Sequence, residues 1–364
     1  MIAARHINRE LLAVFVATLL VLFAVAVGGR FIGYLQEAAA GKFAASDLVA
    51  IMALRLPGFV QLIAPFAFHI AVLLTVGRLH AEQEMAVLRS SGAGTWQLLV
   101  WILPSATLLA VGVGALSLWI TPDRNAALDR FLIELRAQAT FDRMSVGTFN
   151  PFGRGQRTLY AETVSDDGQT LGGVFIFERG KGESLVTIWA EQASRHVDER
   201  TGSQFLVLGD GVRHSQEPVS DPSRRTEGLR RQVIEFSALS QKIDTDVAAS
   251  RRVKPEALPS ATLWHRADAA AAAELHWRLA LPAFTLISAL IAMGLAPVKP
   301  RQGRFGRVLP SMAMLVAYYL ALLANQNAVL SGHLPAVAGL WPAHALFAAI
   351  AAAALARSAK PARQ

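Results

Sequence analysis

The stretch that decides the fold is RLHAEQEMAVLRSSGAG, residues 78–94. It is short and charged, and a long apolar stretch lies on either side of it. On a helix Glu82, Met85 and Arg89 share one face, because residues three and four apart are neighbours. The glycines that follow favour a helix end, since glycine readily adopts the left-handed conformation found there. The pattern predicts a short amphipathic helix at about residues 80–92, lying across one surface of a membrane.

Composition places the chain among membrane proteins. Of its 364 residues 53% are hydrophobic and only 17% are charged, with a mean hydropathy of +0.37. Both ends are apolar and the middle is polar, which indicates membrane segments around a soluble insert. The absence of cysteine excludes disulfides, thiolate metal sites and cysteine nucleophiles. The net charge of +8 is better explained by basic residues beside apolar spans than by nucleic-acid binding.

Six apolar stretches each approach the ~20 residues that a bilayer core requires. They are 11–34, 56–76, 98–120, 279–298, 308–327 and 336–355. The first is interpreted as an uncleaved span rather than a signal peptide, because of its length and because no distinct mature domain follows it. The predicted domains are 1–120 with spans one to three, 121–273 as an insert, and 274–364 with spans four to six and a tail.

Basic residues near the span ends predict the orientation of the chain. They cluster before span one, between spans two and three, between spans four and five, and after span six. The two short loops that face the other way contain one lysine and no arginine. If every stretch crosses once, the four basic places share the cytoplasmic side. We therefore expect both termini and the 78–94 helix inside, and the insert outside.

The polar insert predicts a β domain. A predicted helix at 121–139, with Asp123 as its candidate N-cap, is followed by short runs rich in β-branched and aromatic residues. These runs are 157–164, 172–180, 184–198, 204–215 and 230–239. Asp210-Gly211 is one of the predicted turns. Strict alternation along the strands predicts the side chains that face the interior of a sandwich or open roll: Val174, Ile176, Val186, Ile188, Phe205 and Val207.

The chain contains no motif for catalysis or nucleotide binding. G-x-x-x-x-G-K-[ST], H-E-x-x-H and G-x-S-x-G are all absent, so ATP and magnesium would have to be bound by a partner. His265 and His276 flank Glu274, but such groups on an alanine-rich helix beside a span are more often solvated than metal-binding. His69 and Gln61 lie inside span two and are expected to face the bundle interior.

Several motifs resemble those of a known family. They are E-x-x-x-L-R-x-x-G-A at 84–93, R-x-x-x-R-E at 5–10, P-x-x-x-Q-L-I-x-P at 57–65, E-L-x-W-R at 274–278 and P-R-Q-G-R at 300–304. The first is similar to the coupling helix of ABC-type permeases. Together, and over essentially the whole chain, they resemble the LptF/LptG permeases of the lipopolysaccharide exporter, and the LptF branch more than LptG. The resemblance implies a membrane α-helical fold with six transmembrane helices and a periplasmic β-jellyroll between spans three and four.

The resemblance also implies partners and a location. The partners would be an LptG-like permease, an LptB-like ATPase dimer, an LptC-like single-span protein and an LptA-like periplasmic bridge, with lipopolysaccharide as cargo and no nucleic acid. The chain would be a permease of the bacterial inner membrane with no cofactor of its own, and not an enzyme. Glu84 falls on the family's coupling-helix glutamate. Glu82, Leu88 and Arg89 would contact the ATPase with it.

The resemblance further suggests a lipid path. Arg30 lies near the outer end of span one, where the family has a basic residue, and a guanidinium pairs with phosphate bidentately. Arg124, Arg130 and Arg136, beyond span three, would serve the same anion. The alternative for all four is interfacial anchoring, which arginines at span ends commonly provide. The interior of the roll would hold acyl chains, whereas in an ordinary sandwich it would be a closed core.

Two functions from other classes are alternatives to export. An FtsX-type regulator would pass ATPase motion to a periplasmic hydrolase through a similar coupling helix, but four spans are usual there. A membrane-anchored enzyme would need a catalytic constellation, and the sequence offers none.

Overall fold

The computed structural model describes residues 2–39, 45–142, 147–152, 157–165, 170–180, 184–197, 204–221, 226–242, 254–297 and 307–359. Its helices are α1 (Ile2–Ala39), α2 (Leu48–Ala81), α3 (Glu84–Ser90), α4 (Thr95–Ala115), α5 (Thr121–Asp142), α6 (Ser260–Trp264), α7 (Ala269–Leu295), α8 (Val308–Leu330) and α9 (Trp341–Ala359). Its strands are β1 (Asn150–Phe152), β2 (Arg157–Val164), β3 (Thr170–Arg179), β4 (Leu185–Val197), β5 (Gln204–Asp221) and β6 (Thr226–Lys242). Short 3-10 helices are found at Ala45–Asp47 and Pro255–Ala257.

The prediction of six apolar helices is confirmed within these ranges. Each of the six is at least 19 residues long and apolar enough to cross a membrane. They are α1, α2 with the turn before it, α4 extended to Leu132, α7, α8 and α9. The helices run past the apolar stretches, because helix geometry needs only suitable propensity and not apolar residues. Since α2 continues to Ala81, α3 has only seven residues and is shorter than the predicted 80–92.

The helix that leaves span three is continuous, and the predicted N-cap at Asp123 is wrong. A π-helical turn, Leu116–Ile120, joins α4 directly to α5. Pro122 lacks the N–H that would bond to the carbonyl of Leu118 in a regular α-helix. Ser260 Oγ donates to that carbonyl instead, at 2.6 Å. A side chain from the other end of the insert therefore replaces the lost helical bond.

Buried polar side chains hold α8 against its neighbours. The two ring nitrogens of His69 are hydrogen-bonded to the carbonyl of Ser288 and to Ser311 Oγ, each at 2.8 Å. The hydroxyl of Tyr318 is 2.5 Å from His344 Nδ1. Hydrocarbon offers no alternative partner for such groups, so these bonds fix which helices pack together. His69 thus links α2, α7 and α8, as expected for a polar group that faces the bundle interior.

Arg278 fixes the segment that leads into α7. Its side chain is 2% exposed, and its Nε donates to Glu274 Oε1 at 2.8 Å. The two terminal nitrogens donate to oxygens of the preceding segment, at 2.8–3.2 Å: the carbonyls of Pro255, Glu256 and Leu258 and Oγ of Ser260. All five donors of a guanidinium are then used. The Arg278 guanidinium, with all its donors bonded, therefore holds the last part of the insert against the start of span four.

The described chain divides into two compact units. One contains α1, the helices up to Asp129 and everything described from Lys254 onwards, and the other contains the chain from Arg130 to the end of β6. These divisions fall inside the predicted insert, 121–273. The reason is that the ends of the insert pack on the spans, through contacts such as Ser260 to Leu118.

The second unit contains a single six-stranded sheet in the described residues. Its strands are antiparallel and neighbour one another in chain order, β1 to β6. The sheet is curled, because Gln241 on β6 reaches Glu178 on β3 with a hydrogen bond of 3.4 Å. A curled antiparallel meander fits the predicted β-roll. The predicted turn at Asp210-Gly211 is wrong, since both residues lie inside β5.

The apolar face of the sheet changes phase partway along the strands. Leu171 and Val174 on β3 are both buried, and so are Ala190 and Ala193 on β4. Residues three apart lie on opposite faces of a regular strand, so each strand has one residue in excess there, and the two, Gly173 and Glu191, lie opposite each other with the register unchanged. Asp210 adopts a φ of 41° at the same level of β5, and Gly173 on β3 has a φ of 58°.

The phase change decides which predicted interior residues are buried. Val174, Ile176 and Ile188 are at most 2% exposed, and Val186 packs against the same cluster. On β5, however, Leu206 and Leu208 are the buried pair, while Phe205 and Val207 are partly exposed. If side chains alternated strictly along β5 from Gly211 towards the start of the strand, Val207 and Phe205 would face the interior. The extra residue moves the apolar face to Leu208 and Leu206.

We expect Arg278→Met to lower the free energy of unfolding by about 3–5 kcal/mol, because it leaves the Glu274 carboxylate buried without its partner. Thermal unfolding in detergent measures this as a lower midpoint. Arg266→Met is the matched control. Arg266 is 47% exposed and bonds to Asp268, whose pKa it holds below the usual range, and an exposed pair of this kind contributes little to stability. A midpoint lowered equally by both changes would contradict the assigned role of Arg278.

Candidate functional site

The short helix α3 is bounded by two residues in the left-handed conformation. Gln83, between α2 and α3, has a φ of 61°, and Gly92, after α3, has a φ of 88°. The left-handed conformation turns the chain sharply, and it costs a non-glycine residue about 1–3 kcal/mol. Contacts elsewhere must therefore hold Gln83 in place. Met85, 3% exposed, supplies one of them by packing into the helical core.

Arg78, near the end of α2, contacts three carboxylates. Its Nε and Nη2 donate to the two oxygens of Glu10 on α1. Its Nη1 donates to Glu82 at 2.7 Å and to Glu84, the first residue of α3, at 3.0 Å. The Arg78 and Glu10 side chains are 20% and 23% exposed, whereas Glu82 and Glu84 are 51% and 43% exposed. One guanidinium therefore joins α1, the end of α2 and the start of α3.

The first turns of α1 are tied to α4 beside this cluster. Asn8 Nδ2 donates to the carbonyl of Trp101 at 2.9 Å, and Ser105 Oγ donates to Asn8 Oδ1 at 2.5 Å. Ile7 and Leu11 are the fully buried side chains of α1. Few other residues in the apolar part of this helix are fully buried. Within the described residues, α1 is thus most fully buried near its start, while Val14, Phe15 and Leu19 pack partly against the helical core farther along.

A groove of about 240 Å³ lies next to the Arg78 cluster. Its lining comes from the start of α1, the end of α2 and α3: Ala3, His6, Ile7, Leu79, Glu84, Val87 and Leu88. The walls are mostly apolar, and Glu84 supplies a carboxylate. Val87 is 69% exposed, while Leu88 packs partly against the helical core. An apolar groove with one charged group suits a partner that inserts apolar side chains and a basic group.

The other end of α3 contacts the last span. Arg89 Nη2 donates to the carbonyl of Ser358 at 3.2 Å, and Thr95 Oγ1 donates to the same oxygen at 3.3 Å. The last carbonyls of a helix lack partners within it, and a cation is favourable there. Arg89 thus stabilises the end of α9.

The structure separates the four residues predicted to couple to an ATPase. Glu84 and Leu88 line the groove, Glu82 contacts Arg78 at the end of α2, and Arg89 contacts α9. Sequence reasoning missed Glu10 and the role of Arg78. The available signals were the position of Glu10 in the R-x-x-x-R-E motif and the four-residue spacing between Arg78 and Glu82.

The predicted lipid-binding arginines lie on two helices. Arg30 is exposed on α1 and has no ion pair among the described residues. A Cβ added at Gly28, Gly29 or Gly33 would meet no atom within 4 Å, so the side of α1 that carries these glycines has open space beside it. Arg124 on α5 is 51% exposed and lies 3.8 Å from Asp123. Arg130 is exposed on the same helix, and the side chain of Arg136 lies outside the described part of the structure.

The described residues contain no group of three histidine, aspartate or glutamate side chains that could hold a metal ion. Glu274, which lies between His265 and His276 in the sequence, is bonded to Arg278. The site is thus built from charge pairs, a groove and exposed arginines, and its chemistry suits docking and binding.

Six membrane-length helices, a β-sheet unit inserted between the third and the fourth, and a short helix linking the second to the third define a multi-pass membrane protein. The profile of the family "Lipopolysaccharide export system permease LptF/LptG" matches residues 5–357. The chain therefore belongs to the LptF/LptG family, which is a family of transport proteins of the bacterial inner membrane. The resemblance seen in the sequence motifs is confirmed.

Individual relatives agree with this assignment. The lipopolysaccharide export system permease protein LptF of Escherichia coli (strain K12) is 26% identical over 355 residues, which are 96% of this chain and 93% of the relative. LptG of the same organism is 24% identical over 186 residues, half of each chain. LptG of Haemophilus influenzae is 22% identical over 198 residues, 54% of each chain. The similarity to LptF thus extends over nearly the whole chain, and that to LptG over about half.

Proposed function

We propose that the chain is the LptF-like permease subunit of an ATP-driven lipopolysaccharide exporter. It would pair with an LptG-like permease, receive motion from an LptB-like ATPase dimer, and pass lipid to a periplasmic bridge through LptC-like and LptA-like partners. The observation that carries the proposal is the match to the export permease family over residues 5–357. The six apolar helices and the groove at α3 supply the parts that such a permease needs.

The decisive experiment is purification of the chain with its companion permease and the ATPase from its own membranes. We expect lipopolysaccharide to co-purify, identified by mass spectrometry, and to be released on addition of ATP and magnesium. A complex that binds no lipid, or releases it without ATP, would reject the proposal. An FtsX-type regulator would instead co-purify with a periplasmic hydrolase.

The groove at α3 would receive the ATPase on the cytoplasmic side. Basic residues near the span ends favour that side for α3 and for both termini. A docked side chain would be buried against Ile7, Leu79 and Val87, and a basic group of the partner would pair with Glu84. Val87 is exposed and has no evident part in stabilising the fold. A partner that docks in the groove would cover this side chain, which would explain why an apolar residue is placed there.

The lipid would travel along α1 and into the roll. Arg30 would meet its phosphates, because it is an exposed guanidinium close in sequence to Gly28, Gly29 and Gly33, which have open space beside them. Arg124, Arg130 and Arg136 on α5 would offer further charge to the same anion. The acyl chains would enter the interior of the roll by separating the apolar side chains packed there, among them Val174, Ile176, Val186 and Ile188.

We expect Val87→Asp and Glu84→Ala each to weaken association with the ATPase by about tenfold or more, because a buried charge or a missing carboxylate costs at least ~1.4 kcal/mol at an interface. Co-purification of the ATPase with the tagged chain measures this. Ala86→Asp is the control, since Ala86 is exposed on the same helix but does not line the groove. Normal association of Val87→Asp would remove the groove from the docking site.

We expect a protease added outside spheroplasts to cut the chain between Pro151 and Pro255 and to spare tags at both termini, because the basic residues put the insert outside. Immunoblotting of the two tags measures this. Removal of the C-terminal tag from outside would contradict the orientation, and would point first to the alanine-rich α9 as a helix that does not cross.

We expect lipid binding to fall about ten- to a hundredfold in Arg30→Ala, because one charge-assisted contact to phosphate is worth roughly 1.5–3 kcal/mol. Arg30→Glu should lose more, since repulsion is added, and Arg30→Lys should lose least, since only the forked geometry is lost. Lipid cross-linking at matched expression measures the series. Equal lipid yield from wild type and Arg30→Glu would take Arg30 out of the lipid path.

A further inference from the structure

The contacts of Arg78 give the short helix α3 a direct mechanical connection to α1. One terminal nitrogen of the guanidinium donates to Glu84 on α3 at 3.0 Å, and the other side of the same guanidinium grips both oxygens of Glu10 on α1. A guanidinium is planar and rigid, so two carboxylates bound to its two sides cannot move independently. A displacement of Glu84 therefore changes the hold of Arg78 on Glu10.

The receiving helix is packed in a way that favours movement about its first turns. Ile7 and Leu11 are its fully buried residues, and Asn8 ties this part to α4. Farther along, space is open around Gly28 and Gly33. Because α1 is buried most fully at this end, a displacement of its first turns is passed along the helix towards the open space around Gly28 and Gly33. Glu10 lies within the held part.

Charge at the cluster makes the connection sensitive to what binds Glu84. Three carboxylates, those of Glu10, Glu82 and Glu84, share the guanidinium of Arg78. Glu84 is the one that also lines the groove. A basic group that entered the groove would compete with Arg78 for Glu84. Arg78 would then bind Glu10 and Glu82 without the link to α3.

We propose that Arg78 is the positioning residue that transmits displacement of α3 to α1, with Glu84 as its input and Glu10 as its output. The inference rests on the proposed function, because it needs a partner that moves α3. It goes beyond docking, since it assigns a route by which motion at the groove reaches the helix that carries Arg30. Occupation of the groove changes the grip on Glu10, and α1 tilts about the turns that contain Ile7, Asn8 and Leu11.

The test uses the complete exporter complex in vesicles that contain lipopolysaccharide, and measures the lipid released per ATP hydrolysed. Glu10→Gln keeps the shape of the side chain and removes the charge that Arg78 grips. We expect it to lower the ratio by about fivefold or more, the range of a typical coupling between sites, with the ATPase still bound and the thermal midpoint unchanged. Arg78→Lys should fall between wild type and Glu10→Gln, since it keeps the charge but loses the fork.

Glu256→Gln is the matched control, because it makes the same change in charge on an exposed side chain away from α1 and α3. A double-mutant cycle of Glu10→Gln with Glu84→Gln tests the route. If both act through Arg78, the double change lowers the ratio little more than Glu10→Gln alone. Multiplicative effects of the two changes would overturn the inference.

Two other results would also overturn the inference. One is an unchanged ratio in Glu10→Gln. The other is a parallel fall of lipid release and ATP hydrolysis with a lower thermal midpoint, which would make the cluster a structural tie only. Failure of the proposed function is distinguishable from both, because then the wild-type complex itself would bind no ATPase or release no lipid.

Discussion

Hydrocarbon supplies no hydrogen-bond partners, and this constraint organises the transmembrane part of the chain. Backbone groups there must be satisfied within helices, and polar side chains must find partners on neighbouring helices. His69 does so by joining α2, α7 and α8, and Tyr318 with His344 joins α8 to α9. Where Pro122 breaks the helical ladder, Ser260 replaces the missing donor. Two arginine clusters, those of Arg78 and Arg278, lie near helix ends and join neighbouring segments there.

The two clusters differ in how completely the guanidinium is enclosed. Arg278 is 2% exposed and all its donors are used on Glu274 and on the segment before α7, so its arrangement is costly to change. Arg78 is 20% exposed and two of its three carboxylates are about half exposed. Ion pairs in such surroundings exchange at small cost. The first cluster therefore suits a fixed joint between the insert and span four, and the second suits a joint that responds to a binding partner.

Family membership and local geometry support one another at α3. The family is one of lipopolysaccharide export permeases, and the sequence of this chain has no G-x-x-x-x-G-K-[ST] motif. The groove beside α3 offers apolar walls and a carboxylate, and α3 contacts both α1, through Arg78, and α9, through Arg89. A partner that pressed on this short helix would act at once on the first and the last span. The open space beside Gly28 and Gly33 on α1 gives such a movement room.

The sequence by itself determined the class of the protein. Hydropathy gave six helices, β-branched runs gave five of the strands, and local motifs gave the family, since all of these are recorded in neighbouring residues. The tertiary structure decided what depends on residues far apart. The Arg78 cluster joins Glu10 and Glu84, which lie in different helices, and no local pattern pairs them. On β5 the buried apolar side chain is Leu208 and not Val207, because each strand has one excess residue at that level. This excess is a property of the paired strands together. Alternation within one strand is fixed by backbone geometry, but its phase is fixed only by the strands beside it.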